Sequence, residues 1–140
     1  MDQLLYKYAK IDLEQFAIFE ENMSSPISEV AFENMFRFDY DKEHDTLCCK
    51  LVLTMMDGDK TLLRSVMCSY FLIAKESVKQ ITNDKAQLIF TPIVLAQFAS
   101  LNYGSMRGAL SLKCQNTPLA DYVLPPIYLG QTIDQSFIVD

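Results

Sequence analysis

Apolar and polar residues alternate most regularly between positions 30 and 41. Val30, Phe32, Phe36, Phe38 and Tyr40 share one parity, and Glu33, Arg37, Asp39 and Asp41 share the other. A period of two sends successive side chains to opposite faces, so this stretch predicts a strand with one apolar and one charged face. Residues 11–21 alternate imperfectly, with Phe16 and Ile18 on one parity and Leu13, Ala17 and Phe19 on the other, as a bulged strand does. Ser24, Ser25 and Pro26 place a loop over residues 22–28. The polar run 41–46 reads as a hairpin connection to a third strand, residues 47–56, where Cys49, Leu51, Leu53 and Met55 oppose Lys50 and Thr54. Asp57 and Gly58 form a tight-turn signal. Residues 61–74 are apolar on both parities, the pattern of a mid-sheet strand with both sides covered.

The period then lengthens. Residues 75–87 have room for a short helix, and Thr91 followed by Pro92 is a helix start: a side-chain cap, then a residue whose missing N–H costs nothing there. Leu95, Phe98, Ala99, Leu101, Asn102 and Met106 follow at spacings of three and four, with Ala96, Ser100, Gly104 and Ser105 as a small-residue flank. Such a flank lets a second backbone approach closely, so the helix is expected to be sandwiched. Its end is expected at Gly108, because Leu110, Leu112 and Cys114 alternate with Ser111 and Lys113 as an extended segment would. Pro118 marks a turn. Residues 122–129 form an apolar crossing arm, in which Pro125 and Pro126 forbid both a helix and a central strand. Four strands in succession and then a long helix predict an α+β fold, an antiparallel sheet packed against that helix, as a single domain over residues 1–140.

A chain of 140 residues can bury about two-thirds of its unfolded surface and needs no staples. The net charge of −6 argues against a nucleic-acid surface. Half of the residues are apolar, with nine Phe and seven Tyr among them, which suggests apolar surface destined for another chain. No secretion signal is read at the start, and the longest apolar stretch, residues 66–74, is too short to span a bilayer. The expected compartment is the cytoplasm. Cys48, Cys49, Cys68 and Cys114 fit it as reduced, buried apolar groups, since they form no CxxC pair. With a single histidine, no metal site is expected.

Chemistry finds little support. His44 lies in a charged turn with no nucleophile placed beside it; only a pocket joining it to Cys48 or Cys49 would argue for an enzyme. Gly104 to Gly108 lacks the strand, glycine loop and helix context of a phosphate cradle. No enzyme activity and no cofactor are expected. The row Phe32, Phe36, Phe38, Tyr40 reads either as plain core or as part of a groove for extended apolar segments of other proteins.

Between about Ile11 and Leu129 the chain resembles the SecB family of export chaperones. The matching residues are Phe36 to Asp41, the opening Phe90-Thr91-Pro92, the helix ending Ser105-Met106-Arg107-Gly108, and Leu124-Pro125-Pro126-Ile127. The resemblance implies a four-stranded antiparallel sheet against a long helix, assembled as dimers or tetramers with helices sandwiched between sheets. It also implies ATP-independent holding of unfolded or nascent polypeptides, linked to protein export. On that pattern Phe36, Phe38 and Tyr40 wall a client groove, Leu124, Ile127 and Leu129 line its crossover side, and Arg107 and Gly108 form the structural helix end. The alternative is a SecB-like binding module for one partner, such as an antitoxin or a subunit. Two departures are expected: a second helix that is shortened or missing, and no Cys/His-bearing tail of the kind some members use to engage the translocase motor.

Overall fold

In the computed structural model, which describes residues 3–23, 27 and 29–140, the alternating stretches become four long strands. They are β1 (Tyr6–Ile18), β2 (Val30–Asp41), β3 (Thr46–Asp57) and β4 (Lys60–Ile73). The expected loop over residues 22–28 lies partly outside the described residues. All neighbours are antiparallel in the order β1-β4-β3-β2. Two hairpins join β2 to β3 and β3 to β4, and β1 adds to the far side of β4. Gly58 supplies the positive φ, 63°, that the second hairpin needs. In the first, Asp45 takes a positive φ of 47°.

The imperfect alternation of β1 has a structural cause. Its register with β4 shifts between Tyr8 and Lys10 and again between Leu13 and Gln15. Each bulge reverses the parity, so Tyr6 and Tyr8, then Leu13, then Phe16 and Ile18 all reach one face. On β3 that face carries Leu47, Cys49, Leu51, Leu53 and Met55, each no more than 2% exposed.

After β4 come α1 (Lys75–Ile81), β5 (Leu88–Phe90) and α2 (Pro92–Lys113), which rests on β3 and β4. The Thr91 side chain accepts a hydrogen bond from the Val94 N–H, and Pro92 opens the helix, as expected. The expected stop at Gly108 is not found, and Arg107 and Gly108 lie well inside the helix. The Cys114 N–H donates to the Leu110 carbonyl at 2.9 Å, closing the last turn. Met106, Leu110 and Cys114, four residues apart, continue the buried stripe while Leu112 is 70% exposed. Alternation by two was therefore a shadow of the helical period. An exposed glycine weakens a helix by about 1 kcal/mol, which does not end one held down by packing.

Asn102 sits in the middle of that stripe, fully buried. Its Nδ2 donates to the Cys49 carbonyl and to Ser69 Oγ, both at 2.9 Å. Ser69 Oγ meets the Tyr8 hydroxyl at 2.6 Å, which in turn meets Ser105 Oγ at 2.9 Å. This polar chain ties β1, β3, β4 and α2 together in one register.

Beyond α2 the chain turns back as an arm, ends in one short helical turn α3 (Leu129–Thr132), and closes with β6 (Phe137–Val139) antiparallel to β5. The shortened second helix is thus present as α3. The β5–β6 pair was not expected.

The interior strand β4 does not have both faces covered by other layers in the way its two apolar parities suggested. Its second face contributes to an open concavity of about 940 Å³, bordered by Glu14, Lys50, Cys48, Cys68 and Tyr70. On that face Val66 and Cys68 are buried, at 7% and 1% exposure, while Arg64 and Leu72 remain exposed. No helix among the described residues is long and apolar enough to cross a membrane.

Candidate binding groove

Phe32, Phe36, Phe38 and Tyr40 all turn to the α2 side of the sheet, opposite Met55, Leu51, Cys49 and Leu47 of β3. Their partners on β3 are sealed, yet the four rings are only half-buried. The reason is position: β2 is an edge strand, and α2 lies over the two strands inboard of it.

Two separate pieces of chain cover the ends of this aromatic row. At the Phe32 end the arm returns along α2. Arg107 Nε donates to the Leu124 carbonyl at 2.9 Å, and the Tyr103 hydroxyl donates to the Pro125 carbonyl. Proline offers no N–H, so the arm is fastened through its carbonyls. Leu119, Leu124 and Leu129 are buried at 0%, 4% and 3% exposure. Only a void of about 30 Å³ remains between Phe32, Leu110, Tyr122 and Leu124.

At the Tyr40 end the cover is the β5–β6 pair. The Phe137 ring lies 6.0 Å from that of Phe90 and 6.4 Å from that of Phe38, centre to centre. Tyr40 packs on Phe90 at 5.5 Å and donates its hydroxyl to Asp45 Oδ1 at 3.1 Å. Burial first, and the Asp45 carboxylate second, push the Tyr40 phenol well above its usual range.

Between the two covers a groove of about 320 Å³ stays open. Phe36 and Phe38 form one wall, Leu95 the floor, and residues 132–137 the other wall. Of the six expected groove residues, Phe36 and Phe38 meet here. Tyr40 is set against Phe90, and Ile127 is half-buried. Leu124 and Leu129 do not line an open groove, because both are core residues of the returning arm. Arg107 is not a cation at a helix terminus, and it anchors that arm. The sequence reading missed the contributors from the tail, chiefly Phe137. The run Phe137-Ile138-Val139, three strand-forming residues together, was the available signal.

The outer concavity does hold His44 and Cys48 together, the pairing that would argue for an enzyme. His44 is bound by its Nδ1 to Asp41 Oδ2 at 2.8 Å, on an exposed turn. The thiols point away from nucleophilic chemistry. Burial raises Cys48, and burial with the hydrogen bond to Glu14 pushes Cys68 up to about 12. Cys68 Sγ donates to Glu14 Oε1 at 3.1 Å, and Lys50 Nζ pairs with Glu14 Oε2 at 3.2 Å. Those two partners, the thiol first, hold the Glu14 carboxyl below its usual value. Asp41, Glu43 and His44 bring ligand-type atoms within 4.8 Å of one another, but all three are exposed on the hairpin turn.

No protein-family model matches the chain, and no curated protein matches it in sequence. Among solved structures it is similar to a SecB-like chaperone of Mycobacterium tuberculosis, determined in complex with a peptide from an antitoxin. The TM-score is 0.60 at 12% identity, over 87% of this chain and 89% of that one. A protein of unknown function from Streptococcus agalactiae is also similar, with a TM-score of 0.49 at 12% identity, over 91% of this chain and 100% of that one. The chain has the SecB-like fold.

Proposed function

We propose that this chain is an ATP-independent holdase that binds apolar stretches of unfolded or nascent polypeptides in the cytoplasm, as a homo-oligomer and without a cofactor. The observation that carries the proposal is the gap in the cover of β2, where Phe36 and Phe38 stand half-exposed above Leu95. Aromatic side chains offer large contact area with few rotors to freeze, which suits clients of varied sequence. The similar mycobacterial chaperone, solved with an antitoxin peptide, supports a polypeptide as the ligand.

The oligomer rests on the outer side of α2. Ile93 and Leu112 are 76% and 70% exposed, and Leu101 is 38% exposed. Gly104 and Gly108 are also exposed, with nothing within 4 Å of where a Cβ would stand. Arg107 and Lys113 are the only charged residues in the helix. A helix with so little charge on any side is characteristic of a buried one, so a second copy is the expected cover.

Light scattering tests the reading. A denatured test protein diluted into an equimolar amount of this chain should stay in solution; aggregation at the control rate, with the chain itself folded, would reject it. A second reading is a module for one specific partner such as an antitoxin or a subunit, with which the peptide in the similar structure is equally consistent. Capture of one protein instead of many from a lysate would select it.

A further inference from the structure

The tail that ends in β6 buries no side chain fully: Ile133, Phe137 and Val139 are half-buried against the core. Only three residue pairs join it to β5: Leu88 with Val139, Ile89 with Ile138 and Phe90 with Phe137. One exposed side-chain bond, Gln87 Nε2 to Asp140 Oδ1 at 2.7 Å, fastens its end. Ile138 is 52% exposed. Yet Phe137 places its ring against both Phe38 and Phe90, and residues 132–137 form one whole wall of the open groove.

We propose that residues 133–140 are an intramolecular stand-in for the client, displaced when a client strand pairs with β5. This rests on the reading of the groove as a polypeptide site. The occupant is defined by what sits there now: an extended segment with an aromatic or large aliphatic side chain in the place of Phe137, its neighbours turned alternately inward and outward. Main-chain pairing to β5 supplies sequence-independent binding, and the pocket between Phe38 and Phe90 supplies the preference. A tethered strand competes at millimolar effective concentration, so weak segments are refused and strongly apolar ones are admitted.

A fluorescent peptide of residues 131–140 is the probe. Its affinity is compared for the full chain, for full-length F137A, and for a chain lacking residues 136–140, each checked for its fold by circular dichroism. Both altered chains should bind the peptide at least about tenfold more tightly than the full chain. Equal affinities for all three would overturn the proposal. So would a full chain whose solution mass halves on removing residues 136–140, which would assign the place to a second copy's tail. Aggregation suppression by the same three chains separates the two readings: tighter peptide binding with no suppression by any of them retains the stand-in and rejects the holdase.

Discussion

Two covers lie over one row of rings, and they are fastened by different means. The arm over Phe32 sinks Leu119, Leu124 and Leu129 into the core and hangs from Arg107 and Tyr103 through two carbonyls. The tail over Phe38 and Phe90 rests on three half-buried side chains, Ile133, Phe137 and Val139, with three strand pairs and one exposed side-chain bond. Burying a leucine contributes about 1.5–3 kcal/mol, so three of them make the arm a permanent part of the domain. The tail has no comparable anchor. Both are apolar extended segments after the long helix, yet one is architecture and the other can exchange.

The largest effect should come from the arm. L124A removes a buried side chain that α2 holds in place and should cost about 2–4 kcal/mol in urea unfolding, whereas F137A should cost about 1 kcal/mol or less. Equal losses would erase the distinction. R107A should follow at about 1–2 kcal/mol, by loss of a charge-assisted bond to the Leu124 carbonyl, and hydrogen exchange should rise in residues 118–126 but not in β5. Next comes the outer side of α2. The pair I93E and L112E should reduce the solution mass measured by light scattering while leaving the circular dichroism spectrum of the subunit unchanged.

The smallest effect is one of pH on the far face of the sheet. Glu14 has its carboxyl lowered by Cys68 and Lys50, so it favours the folded state more when charged. That contribution is complete above the ordinary carboxylate value and fades as pH falls through the lowered one. The acid limb of the unfolding curve should therefore flatten slightly in E14Q, with no change in aggregation suppression, because this face lies away from both covers.

Much of this arrangement was legible from residue pattern alone. The alternation of Phe32, Phe36, Phe38 and Tyr40 fixed both the strand and its inward face, and Thr91-Pro92 fixed the start of α2. The end of α2 was not legible, because Leu110 and Cys114 satisfy periods of two and of four alike, and only the exposure of Leu112 decides between them. The arm was recognised as extended from Pro125 and Pro126, but its leucines were assigned to a groove on the SecB resemblance, and no local rule says what a leucine packs against, so nothing corrected it. Strands of three residues, such as β5 and β6, carry too few positions to show a period. Half of the candidate site was thus hidden: its aromatic wall was readable, while the wall made by residues 132–137 depends on a pairing between distant parts of the chain.

The central claim, that the gap between the two covers takes the client, is tested most directly by nuclear magnetic resonance. Labelled chain is mixed with an unfolded, aggregation-prone polypeptide, and shifts are followed at Phe36, Phe38, Leu95 and Phe137. The account predicts that these signals move together, with Phe137 losing its contacts to Phe38 and Phe90, while Leu119 and Leu124 stay fixed. Shifts confined to Ile93, Leu101 and Leu112, or to the outer concavity around Cys48 and Tyr70, would contradict it.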